Sequence, residues 1–156
     1  MLLEVRNFHL LDPKTEAERP LLANDSLGWV FQPRYSPDGK NVAVHWSRAD
    51  EADTGLWLIS LEDSSQTLSC KGDLWPLEWP RDGNWMYVSN FVETPTKIFK
   101  IPASGGEPKT VVTLPFEGKV AFYELAMTPD GRSVVCAVSE SVSDVWLMEN
   151  FDPEVK

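Results

Sequence analysis

The sequence predicts an all-β fold built as an array of repeated four-stranded antiparallel meanders, and three observations carry that prediction. One turn occurs three times, as Ser36-Pro37-Asp38-Gly39, Pro80-Arg81-Asp82-Gly83 and Thr128-Pro129-Asp130-Gly131, with its glycines 44 and 48 residues apart. Each turn follows a large apolar or aromatic residue (Tyr35, Trp79, Met127) and leads into a β-rich run. Apolar residues show no helical spacing, and twelve prolines and nine glycines punctuate short segments.

The turn has a physical logic. Proline presets φ at the first central position, aspartate bonds the backbone ahead of it, and glycine takes the positive φ that reverses the chain. The second strands that follow are Asn41–Trp46, Trp85–Val88 and Ser133–Val138. Third strands follow polar loops, at Gly55–Ile59, Lys97–Ile101 and Asp144–Met148. Fourth strands are read at Gln66–Cys70 and, after Ala103-Ser104-Gly105-Gly106, at Lys109–Leu114. Near the start, Phe8–Asp12 aligns with the third strand and Glu18–Leu22 with the fourth. The chain therefore divides into an outer half blade (1–23), two complete blades (24–70 and 71–115) and a blade lacking its outer strand (116–150). A repeat of this length is that of a propeller blade.

With 42% apolar residues and seven tryptophans among 156, the chain has ample surface to bury in one domain. A net charge of −10 disfavours non-specific binding to nucleic acid or an anionic membrane. No run approaches the roughly 18 apolar residues of a spanning helix, and Met1–Asp12 carries charges and no cleavage-site pattern, so no signal peptide is read. Cys70 and Cys136 lack metal-ligand spacing and are read as structural thiols.

Gln32-Pro33-Arg34-Tyr35-Ser36-Pro37-Asp38-Gly39-Lys40, with its apolar strand and the later Leu56-Trp57-Leu58-Ile59, resembles the TolB-type, WD-repeat-like β-propeller repeat. The resemblance runs from about residue 5 to 149, with Arg81 standing where the pattern has proline. It implies an extracytoplasmic, periplasmic setting, and the strand count of two, four, four and three makes the ring incomplete in one chain. The ending Val145–Pro153 is similar to the end of propellers fused to bacterial transmembrane serine/threonine kinases. Propellers close with about 4–8 blades. The array is accordingly expected either to belong to a larger propeller or to close with a second copy. In the second case the strand near Glu18–Leu22 of one chain would complete the Ser133–Met148 blade of the other.

No catalytic constellation is present: there is no GxSxG elbow, HExxH or phosphate-cradling glycine loop. His9 and His45 are read as packed histidines, and no cofactor is expected. The carboxylates of Asp50-Glu51-Ala52-Asp53 read as a solvated turn rather than a calcium loop. The repeated aromatics (Tyr35, Trp79 and Met127; Trp57, Phe99 and Trp146) are assigned to the core between blades. Trp29 and Trp75, preceding inner strands, are assigned to the channel mouth as contact residues. Arg34 and Glu78 occupy one position in successive blades and are expected to interact across neighbouring blades or around channel water. Glu124 falls on the third inner strand, at the level of Gln32 and Pro76. Together these predict a non-catalytic interaction or sensor module for a protein or peptide. The alternative is a regulatory or gating propeller segment of a larger enzyme, of the kinase or prolyl oligopeptidase type; this sequence holds no hydrolase segment.

Overall fold

The computed structural model describes residues 8–22, 28–48, 50–90, 95–115, 120–128 and 132–139. These form strands in antiparallel sheets, with one 3-10 turn at Glu51–Asp53. Strands β1 (His9–Leu11) and β2 (Glu18–Pro20) pair as a two-stranded sheet. The first full blade is the meander β3 (Gly28–Tyr35), β4 (Asn41–Arg48), β5 (Gly55–Ser60), β6 (Gln66–Lys71). The second is β7 (Trp75–Glu78), β8 (Trp85–Ser89), β9 (Lys97–Pro102), β10 (Lys109–Thr113). Strands β11 (Val120–Met127) and β12 (Val134–Ser139) form the inner pair of a third blade. The strand expected at Asp144–Met148 and the turn residues Asp130 and Gly131 lie outside the described residues, and none of the described sheets closes on itself.

Side chains alternate across a strand, so a sheet sandwiched between two others must be apolar on both faces. The first blade shows this directly. Val42 pairs with Ile59 and Val44 with Trp57 on one face, while Ala43 pairs with Leu58 and His45 with Leu56 on the other. The first face joins Leu21 and Leu22, with Phe8 and Leu10, in one core cluster. The second face meets Trp79, Met86, Val88 and Ile101 of the second blade. The far side of that blade (Leu77, Ile98) meets Leu125, Met127, Val134 and Cys136 of the third, in a cluster that Trp75 and Phe31 join from the first two blades. The inner strand β7 touches β3, β4 and β5 on one side and β11 on the other. Arg19 Nη2 donates to the Leu61 carbonyl (2.9 Å), tying the half blade to the first full one.

One assignment needs correction. Trp79 is 9% exposed, as its repeat position requires, but Tyr35 at the equivalent position is 57% exposed. Tyr35 pairs with Val42 and so faces the half blade, whose described strands are an outer pair. Nothing among the described residues fills the inner part of that layer. Trp57 and Phe99 are partly buried against the first and second clusters, as expected of core positions.

Candidate functional site

The inner strands share a distortion. Each first strand carries a register shift at one place: between Phe31 and Arg34, between Pro76 and Glu78, and between Ala121 and Leu125. A bulge adds a residue and re-aims the side chains around it. In β3 it is built on Gln32, whose φ of 49° is left-handed. Beyond the bulge, Arg34 faces Ala43, Glu78 faces Tyr87 and Ala126 faces Val135, so the three are structurally equivalent.

Arg34 does reach the neighbouring blade, but its partner differs from the expected one. Its Nε donates to the Leu77 carbonyl at 2.7 Å, and Nη1 donates to the Pro33 carbonyl at 3.0 Å. Among the described residues no ion pair joins Arg34 to Glu78. The bulges explain the difference, because they place the guanidinium against the neighbouring backbone instead of the carboxylate one residue on. Glu124 lies in β11, and its side chain is outside the described part.

The two tryptophans assigned to the channel mouth separate. Trp29 is 38% exposed and leans on Phe31, with ring centroids 6.0 Å apart. Trp75 is buried between the first two blades, stacked on the His45 imidazole at 4.1 Å and 10°. Its indole N–H donates to Asp73 Oδ1 at 2.7 Å. His45 Nδ1 donates to the Leu74 carbonyl (3.1 Å), which leaves Nε2 facing Asp73 Oδ1 at 3.7 Å. Burial holds the His45 pKa below its usual value, against the raising effects of the Leu74 bond and Asp73. His45 is thus a packed histidine, while His9 contacts Glu18 at the surface.

The repeated turns follow the chemistry expected of them. Gly39 (φ 69°) and Gly83 (φ 70°) each send their N–H back three residues, to Ser36 and Pro80 at 2.9 Å. Arg81 in place of proline leaves this geometry intact, since glycine makes the reversal. Asp38 Oδ1 accepts from the Ser36 hydroxyl (2.6 Å) and the Lys40 N–H (3.0 Å), and these bonds, the hydroxyl first, lower its pKa. Asp82 Oδ1 accepts from the Asn84 N–H at 3.2 Å. Thr128 exchanges bonds with Ser133 as Ser36 does with Asn41.

Where the first two turns stand side by side they enclose a cleft of about 570 Å³. Its floor is Leu58, Trp79 and Ala103, and its walls carry Asp38 and Asn41 on one side and Arg81, Asp82 and Asn84 on the other. Sequence reading treated the turns as punctuation and missed this cleft. The signal was present, because repeats at one spacing put successive turns on one rim. Asp50 Oδ1 accepts from the Ala52 N–H, capping the 3-10 turn. Among the described residues no group of three or more His, Cys, Asp or Glu converges as metal ligands, and no helix is long and apolar enough to cross a membrane. Cys70 and Cys136 carry free thiols.

Bulged inner strands, glycine turns and stacked four-stranded meanders define blades of a β-propeller. The solved structures it is similar to narrow this to a TolB-like propeller fold. It matches TolB from Acinetobacter baumannii with a TM-score of 0.56 and 17% identity, over 82% of this chain and 31% of that one. A putative TolB from Agrobacterium tumefaciens gives 0.53 and 20%, over 85% and 48%. A structure from an analysis of two prolyl endopeptidases, and the role of inter-domain dynamics in their catalysis and specificity, gives 0.59 and 15%, over 83% and 22%. This chain spans less than half the length of each. No protein-family model matches it, and neither does any curated protein.

Proposed function

We propose that the chain is a non-catalytic interaction module that takes a short extended peptide segment of a partner protein into the cleft between its first two blades. The observation that carries this reading is the composition of the cleft. Its apolar floor accepts the stem of a side chain, and the amides of Asn41 and Asn84 each offer a donor and an acceptor to a peptide backbone. Two carboxylates against one guanidinium favour a basic residue, and the net charge of −10 steers such a partner inward. The test is an NMR titration of the intact chain with a short peptide carrying a central arginine, beside one carrying glutamate. Shifts at Asn41, Asn84 and the Trp79 indole with the arginine peptide alone, weakened in Asp82→Asn, are expected. Equal responses to both peptides, or none to either, would overturn the reading.

The likeness to a prolyl endopeptidase structure supports a second reading, a gating or regulatory propeller segment of a larger enzyme. It predicts that the chain ignores both peptides and instead changes substrate selection when joined to a peptidase domain. The resemblance to TolB supports an extracytoplasmic setting for either.

A further inference from the structure

The two turns that wall the cleft make the same reversal but commit different side chains to it. In the first, Asp38 Oδ1 accepts from the Ser36 hydroxyl at 2.6 Å and the Lys40 N–H at 3.0 Å, while the Ser36 oxygen accepts from the Asn41 N–H at 2.9 Å. In the second, Pro80 stands where the first has serine. Among the described residues Asp82 accepts there only from the Asn84 N–H, at 3.2 Å. The glycine φ values of 69° and 70° and the 2.9 Å backbone bonds are nevertheless alike. The second turn thus closes on its backbone and leaves its side chains over.

Arg81 is the clearest of these. The other two turns place Pro37 and Pro129 at its position, which suits proline because φ is preset there. No hydrogen bond among the described residues uses the Arg81 N–H, so the backbone has no need of arginine. Its guanidinium is exposed on the cleft wall and, among the described residues, makes no ion pair and no hydrogen bond. A proline would stabilise the turn by restricting the unfolded chain. Arginine gives that up and sets a cation in a cleft whose other charges are the carboxylates of Asp38 and Asp82.

We propose that Arg81 sets the specificity of the cleft by reading a carboxylate of the ligand, so that the segment bound carries a basic and an acidic group together. This rests on the peptide reading of the cleft and adds the second charge to it. A guanidinium offers its N–H groups in a planar fork that matches a carboxylate. In an extended peptide successive side chains point to opposite sides, so residues two apart face the same way. A basic residue set against Asp82 therefore has its acidic companion two positions along, at Arg81. Leu58, Trp79 and Ala103 take the apolar stems of both. Without Arg81 an acidic side chain would meet only Asp38 and Asp82 and be repelled, so the discrimination works in both directions.

The test is an NMR titration of the intact chain with two peptides capped at both ends, one centred on Arg-Ala-Glu and one on Arg-Ala-Gln. Shifts are read at Asn41, Asn84 and the Trp79 indole. Exposed ion pairs contribute modestly, so the glutamate peptide is expected to bind about two- to fivefold more tightly. Arg81→Pro, which restores the residue of the other turns, is expected to reverse that order. Arg81→Gln, which keeps most of the stem and loses the charge, is expected to do the same, so the outcome does not hang on how the proline variant folds. A third peptide, ending in a free carboxylate directly after Arg-Ala, separates a chain end from an acidic side chain as the group read. A gain with either carboxylate that vanishes in both variants supports the assignment. No gain from either, or an order that the variants leave unchanged, would overturn the role of Arg81 while the peptide cleft stands. No shift with any peptide would overturn the cleft reading itself, and the role of Arg81 with it.

Discussion

Trp79 and Tyr35 end equivalent inner strands, yet one is packed under a complete blade and the other looks out over a half blade. The difference teaches that burial in this molecule is decided by the neighbouring sheet and not by the residue's own strand. Both have the same kind of bulge before them and the same glycine turn after them. What Trp79 has in addition is a layer containing Ala43, Leu56 and Leu58. A blade is therefore half of a core, and each interface must be judged from both sides.

The largest expected effect breaks this comparison most directly. Truncating a buried large aromatic removes its transfer energy and leaves a cavity, so Trp79→Ala should cost about 3 kcal/mol or more in urea unfolding. Tyr35→Ala should stay within about 0.5 kcal/mol, as for an exposed site. Comparable losses at the two positions would show that a layer covers Tyr35 within a single chain.

The sequence carried most of the fold because its signals are local and repeated. The glycine turns need only four residues to be recognised, and strand alternation shows in Asn41–Trp46 or Lys97–Ile101 taken alone. Site features were legible only where they were equally local. Arg34 and Glu78 share one repeat position, but the bulge that turns Arg34 toward the Leu77 carbonyl has no sequence signature beyond the odd residue count. Trp75 went to the wrong environment for a similar reason. Its place next to an inner strand gave no hint of His45, 30 positions earlier in the chain and stacked on it across the blades. Contacts across blades depend on how sheets are aligned, and no single strand encodes that.

A smaller effect sharpens the comparison at the interface between the first two blades. Arg34 bonds the backbone of β7, and a hydrogen bond with a charged donor contributes about 1.5–3 kcal/mol, less where water can replace it. Arg34→Ala should therefore lower stability by about 1 kcal/mol and leave the arginine-peptide shifts at Asn41 and Asn84 in place. Arg34 is half-buried on β3 and does not line the cleft. If stability is untouched, the staple between inner strands contributes nothing, and apolar packing alone aligns the blades.

The smallest effect comes from His45, a buried titratable ring at that interface. From β7 and the segment before it, the Leu74 carbonyl, the Trp75 face and the Asp73 carboxylate are set against it, while Phe31 approaches from β3. Burial, the largest influence, lowers its pKa in the folded state below the ordinary value of 6.5. The unfolded chain then holds the proton more readily than the folded one. Stability from the neutral ring is present in full above 6.5 and is lost as the pH falls from there to the lowered folded value. The unmodified chain should thus lose urea resistance between about pH 7.5 and the acid side of 6.5 faster than His45→Phe, which keeps a ring for Trp75 to stack on but cannot take a proton. If the two profiles run parallel, Asp73 at 3.7 Å compensates the imidazolium fully, and the blades are held together equally well with either charge on the ring.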